Sequence, residues 1–339
     1  MDARAIARTA RRSGHAAATR ARTEFDRARS RRGRADLALF HEFEPAPAGG
    51  GHQFLRALLR ELESRGLTIE VNCISGGTAA CLFNSFNFDF ARLRRFARDG
   101  CRMVHRVDGP VGAYRGFDDG TDARIAAINA ELADATILQS RYSLARHAEL
   151  GIELRKPKVV ANTVDPAIFH PPDTREPLDG RPLRVIAASW SQNPRKGADV
   201  LDWLDRNLDP ADATVTFVGQ AARPSERIRQ VGPLDSHGVA RALREHDVYL
   251  AASHDDPCSN ALLEALACGL PAVYRASGGH PELVGDAGVP FDAPEDVPDA
   301  LVSLAADLDG YRSHIEVPSL AAVADAYLRV LGLDARGSP

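Results

Sequence analysis

The sequence contains no run of eighteen or more apolar residues, which argues against a helical membrane span. Its amino terminus is rich in arginine but has no apolar stretch of the kind a secretory signal requires. Five cysteines, Cys73, Cys81, Cys101, Cys258 and Cys268, are scattered, odd in number and without paired metal-ligand spacing. They read as reduced, mostly buried residues of a reducing compartment. Cys258 has a nucleophile as its alternative reading. Lysine is nearly absent, with three residues against 39 arginines, a pattern of coding bias more than of arginine-specific chemistry. No Asp-x-Asp pair stands at the end of a predicted strand to hold a metal-bound nucleotide, although Asp118-Asp119 and Asp255-Asp256 are acidic pairs.

What is present suits a globular protein. A length of 339 residues fits two domains of about 150 residues each, and 44% hydrophobic with 26% charged residues is an ordinary soluble composition. The net charge of −4 hides an asymmetry. Residues 1–34 hold eleven arginines against three acids, a net of +8, so the rest of the chain carries −12. Two readings stand for this basic arm: a solvated extension, or a contact with anionic lipid at a membrane surface. A nucleic-acid partner is not expected. The chain is expected to be cytoplasmic, with peripheral contact at the inner membrane face as the added expectation.

Beyond the arm the pattern alternates strand and helix. Apolar runs at 37–43, 68–74, 101–107 and 135–138 predict strands. Helical spacing over 52–64, where Phe54, Leu55, Leu58, Leu59 and Leu62 recur, and over 123–132 and 140–150 predicts helices. A proline-rich stretch near 171–182 marks a linker. A second alternation follows: strands at 183–188, 214–219 and 248–252, helices at 198–208 and 237–245. The expected domains are 35–175, 183–317, and a terminal helix over 318–333 that crosses back to the first domain. Alternation of this kind means parallel sheets wrapped by helices, an α/β fold with two Rossmann-like domains facing a central cleft.

The most informative stretch is Ser253 to Gly288. Asp256 and Glu264 lie eight positions apart across the start of a short helix that Ser259 or Asn260 can cap, that Gly269 can end and that Pro271 stops. An apolar strand-like run and the pair Gly278-Gly279 follow. Loop, helix start, strand and glycine turn at these spacings suit the carboxyl edge of a parallel sheet, where free N–H groups and the helix dipole favour a phosphate.

These residues resemble the nucleotide-sugar site of retaining glycosyltransferases of family 4, which have the GT-B fold. That family carries Glu-x7-Glu, then A-x-G-x-P and G-G-x-x-E. Here the frame reads Asp256-x7-Glu264, Ala267-Cys268-Gly269-Leu270-Pro271 and Gly278-Gly279-His280-Pro281-Glu282. Asp256 replaces the first Glu. The run Val159 to Pro171 resembles the family's P-N-G-V-D…F-x-P signature, with Thr163 in place of the glycine. Ser189 to Gly197 resembles its phosphate loop, with Lys196-Gly197 matching the late pair and Trp190 standing near the early Arg.

The resemblance implies a retaining, metal-independent sugar transfer from a nucleotide-diphosphate sugar to a glycan, lipid-linked or small-molecule acceptor, with the leaving phosphate as base and no cofactor. It implies catalytic or sugar-contacting roles for Asp256, His105 and Asp108. Donor binding falls to Lys196, Arg195, Glu264, Ser259, Asn260, Gly50, Gly51, Gly279 and His280. For Arg106 the alternatives are phosphate neutralisation and an ion pair with Asp108. Two rival functions remain: a sugar-nucleotide epimerase of the same fold, and a non-catalytic nucleotide-sugar binder.

Overall fold

A computed structural model describes residues 34–45 and 50–334. The basic arm, apart from Arg34, and Gly49 of the glycine run lie outside them.

The first sheet contains β1 (Leu37–Phe40), β2 (Ile69–Val71), β3 (Ala80–Asn84), β4 (Arg102–Val107), β5 (Ala135–Leu138) and β6 (Pro157–Val159). They are all parallel, in the order β2-β1-β3-β4-β5-β6. Its helices are α1 (Gly50–Ser64), α2 (Phe90–Phe96), α3 (Val111–Arg115), α4 (Thr121–Leu132) and α5 (Arg141–Glu149). β1 and β3 are buried along their whole length because helices cover both faces of the sheet.

The second sheet holds β7 (Leu183–Ser189), β8 (Ala213–Gly219), β9 (Arg229–Val231), β10 (Val248–Ala251), β11 (Ala272–Arg275) and β12 (Gly288–Phe291). It is parallel throughout, in the order β12-β11-β10-β7-β8-β9. Its helices are α6 (Ala198–Asn207), α7 (Ser236–Arg244), α8 (Asn260–Ala267), α9 (His280–Val284), α10 (Val297–Ala306) and α11 (Leu308–Ser313). The last helix, α12 (Leu320–Leu331), packs Val323, Ala324, Tyr327, Leu328 and Leu331 into the core of the first sheet beside Leu37, Leu55 and Leu58.

Two sequence expectations change. β3 lies between β1 and β4, where the apolar pattern predicts no strand, and α1 begins at Gly50, two residues ahead of the predicted start. The short strands β6 and β12 are likewise absent from the sequence pattern. Both are edge strands that contain proline, tolerated where an N–H need not join the ladder.

Polar contacts tie the two halves together. Glu282 accepts the N–H groups of Arg141 and Tyr142 at 2.9 and 3.0 Å, capping α5 from the other sheet. The Tyr142 hydroxyl donates to Asp255 at 2.8 Å, and Asn193 Nδ2 donates to the Arg115 carbonyl at 3.1 Å. Among the described residues no helix is long and apolar enough to cross a membrane.

Candidate functional site

β7 and β10 are neighbours in the second sheet, yet the chain leaves β7 toward β8 and β9 and only then returns to β10. Loops diverge at such a switch point and open a crevice at the carboxyl ends of the strands. A cavity of about 260 Å³ occupies it, walled by the ends of β7, β8 and β10, by Lys196, Asp256, Ser259 and Glu264, and by Gly50 from α1.

The loop before α8 delivers Asp256 to the wall. Gly278 and Gly279 stand behind it, where a Cβ on either would strike the backbone of Asp256 or Pro257. Gly278 also has φ +65°, a conformation that favours glycine. The Gly279 N–H donates to the Asp256 carbonyl at 2.8 Å. The Asp256 carboxylate accepts from Lys196 Nζ at 2.7 Å and from the Cys258 N–H at 3.3 Å. Burial works against its charge, but the Lys196 ammonium and these bonds outweigh burial and hold the carboxyl below its ordinary value.

Glu264 lies just past the first turn of α8, on the same wall. Its carboxyl makes no hydrogen bond or ion pair among the described residues, and burial pushes that carboxyl up to about 8. The helix start beside it is capped by Ser259 Oγ, which accepts from the Leu262 N–H. Asn260 Oδ1 accepts from Asn162 Nδ2 of the first half at 3.0 Å. Gly50 closes the gap: a Cβ there would overlap the Asn260 side chain, so glycine lets the start of α1 approach the start of α8.

Several of the expected site residues lie away from this cavity. His105 does not face the cleft. It is fully buried in β4, stacked on Phe83 at 4.3 Å and bonded through Nδ1 to Asn129. Burial lowers it to about 3. His280 is also fully buried, and its Nδ1 donates to the Arg275 carbonyl at 3.1 Å while Nε2 accepts from Ser253 at 3.2 Å. It braces the Asp256 loop from behind, away from the cavity wall. Gly279 has the same backing position. Arg195 pairs with Asp255 and lies against Gly116, off the cavity wall.

Asp108 caps the end of β4 but is engaged by Arg106 at 3.1 Å and does not line the cavity. Gly51 does not line it either. Arg106 itself is 1% exposed and serves as an internal tie, bonding Tyr327, Asn84, Asn162 and Asp108. Burial pushes the Cys258 thiol up to about 12, which disfavours the reactive thiolate.

The structure therefore brings together Asp256, Lys196, Glu264, Ser259, Asn260 and Gly50. Trp190, in the place of the resembled arginine, also lines the cavity. The sequence reading missed Ser253 and Tyr142. Ser253 opens the informative stretch and could have been found there; Tyr142 meets Asp255 across 113 positions of chain and left no local signal.

Two facing, parallel-sheet α/β halves with a crevice at the switch point of the second define a two-domain GT-B architecture. Residues 185–307 match the family model described as Glycosyl transferases group 1. No curated protein matches the chain by sequence. Among solved structures the chain is similar to sucrose-phosphate synthase from Thermosynechococcus elongatus, with TM-score 0.65 and 17% identity over 90% of this chain and 96% of that one. It is also similar to Anabaena HepE in complex with UDP-glucose, with TM-score 0.61 and 15% identity over 89% and 98%. A glycosyltransferase from Rickettsia africae gives 0.61 and 14% over 90% and 100%. At these identities the likeness concerns the fold.

Proposed function

We propose that this chain is a retaining glycosyltransferase that moves a sugar from a nucleotide-diphosphate sugar to an acceptor hydroxyl without a metal. One observation carries the reading: Lys196, the start of α8 and the uncompensated Glu264 carboxyl converge on one cavity at the switch point. The match of residues 185–307 to a glycosyltransferase family supports it.

Lys196 and the N–H groups at the start of α8 receive the diphosphate, supplying positive charge where negative charge grows as the donor bond breaks. Glu264 accepts from the ribose hydroxyls, a pairing that gives its isolated carboxyl the partners it lacks. Asp256 faces the donor sugar, held in place by Lys196 and by the glycine pair behind it. The bond from the anomeric carbon to phosphate breaks, the bond to the acceptor oxygen forms on the same face, and the acceptor proton passes to the leaving phosphate. The acceptor is a glycan, lipid-linked or small-molecule hydroxyl, and residues 1–34 bring the enzyme to an anionic membrane surface.

Nucleotide release from UDP-, GDP- and ADP-sugars in excess chelator tests this, with the product anomer read by proton NMR. The expected result is metal-free release and retained configuration. An inverted product, or release that requires a divalent ion, contradicts the mechanism.

A further inference from the structure

Trp190 is the first residue after β7, and it lines the same cavity as Lys196. It is 39% exposed, although an indole has more apolar surface to bury than almost any other side chain. Among the described residues no ring packs against it and nothing hydrogen-bonds its side chain. The bare ring is out of keeping with the rest of the chain. Arginines lie over the rings of Phe43, Phe54, Phe86, Phe96 and Phe291 at 5.1 to 5.5 Å. None lies over Trp190, although an indole attracts a cation more strongly than a phenyl ring does. The second tryptophan, Trp203, packs against the core of the second sheet.

The rest of the cavity wall has two kinds of surface. Lys196, Asp256, Ser259 and Asn260 make it polar, while Phe217, Val218, Pro233, Leu234 and Val239 make it apolar. A ligand matched to both carries charge in one part and a ring with an apolar face in another. We propose that Trp190 is the stacking platform for that ring and so a specificity-determining residue of the transfer. The ligand chemistry is a flat ring face, supplied either by the nucleobase as a π surface or by a pyranose through its C–H groups. An indole suits either partner, because its face is electron-rich and its N–H keeps one edge in water. The ring contact forms only when the cavity is filled, which accounts for a large apolar side chain left bare on its wall. The inference rests on the transfer reading, because that reading supplies both rings.

The chain has two tryptophans, so Trp203→Phe leaves Trp190 as the one source of indole emission. The full chain is titrated in chelator with UDP, GDP and ADP, then with their common sugar conjugates. Methyl glycosides are added last to the nucleotide-saturated protein, and calorimetry follows binding in parallel. A saturable change in Trp190 emission that tracks binding is expected. A change with nucleotide alone assigns the nucleobase, and a change only when a sugar is present assigns the pyranose. Trp190→Leu should bind the assigned ligand about tenfold more weakly, the order of one stacked ring. Trp190→Phe keeps an aromatic face and should lose less.

Equal affinity of Trp190→Leu and wild type overturns the platform. So does an emission change that inorganic pyrophosphate reproduces in full, because pyrophosphate has no ring. Nucleotide and sugar conjugate bound with the emission of Trp190 unmoved refute the inference alone, whereas no nucleotide binding at all refutes the transfer reading beneath it.

Discussion

Glu264→Gln isolates the most unusual carboxyl in the cavity. Burial raises the folded-state carboxyl from 4.5 to about 8, with no cation to offset it. Between those two values the folded chain holds a proton that the unfolded chain has released. Its contribution is therefore fully present below pH 4.5 and is lost as pH rises through about 8. At about 1.4 kcal/mol per tenfold change in proton affinity, the loss amounts to about 4–5 kcal/mol, an upper figure for a carboxyl that also meets cavity water. The amide of the Glu264→Gln variant has nothing to titrate, so that protein keeps its stability at alkaline pH. Urea unfolding of both proteins from pH 5 to pH 9 is the assay. Wild type should lose stability relative to the variant across this range, and a saturating nucleotide should shrink the gap by giving the ionised carboxyl hydroxyl partners. Parallel stability–pH curves for the two proteins would falsify the assignment of an isolated, half-buried Glu264.

Other perturbations bear on the same framework. Lys196→Met leaves the buried Asp256 charge without its partner and should cost about 3 kcal/mol in urea unfolding; adding Asp256→Asn should recover most of that stability but none of the nucleotide binding. Gly50→Ala places a methyl group on the Asn260 side chain, so the melting temperature should fall by several degrees, corresponding to about 1–3 kcal/mol of overpacking. Glu282→Ala removes the cap that the second half places on α5. Small-angle scattering of the free chain should then show a larger radius of gyration, at a stability cost of about 1 kcal/mol. Flotation with anionic liposomes should depend on residues 1–34; equal flotation of the truncated chain removes the membrane role from the arm.

The second half of the molecule was the more legible in sequence because its site residues are close neighbours along the chain. The loop, cap, helix and glycine turn from Ser253 to Gly288 form one continuous segment, so spacing alone places Asp256 and Glu264 together. In the first half the same method found β4 as a strand but not which way its side chains point. Period-two alternation tells inside from outside only where one sheet face meets water, and β4 is buried from Met103 to Val107. His105 and Arg106 therefore read alike, yet one stacks in the core and the other ties four elements together. β3 escaped notice because a five-residue apolar run carries no periodicity, even though it occupies the centre of the sheet. The placement of His280 and Gly279 was hidden for a related reason. Motif spacing gives proximity to Asp256, but only the backbone path shows that both approach it from behind. Contacts such as Glu282 with Arg141 and Tyr142 join distant segments, and nothing local marks them.

Isothermal calorimetry in chelator, with UDP, GDP, ADP and their common sugar conjugates, tests the donor site most directly. Wild type, Lys196→Ala and Glu264→Ala should be titrated side by side. The account predicts that one nucleotide binds wild type and that both variants lose at least tenfold in affinity, Lys196→Ala through the diphosphate and Glu264→Ala through the ribose. Binding that both variants retain, or no binding of any nucleotide to wild type, contradicts the account.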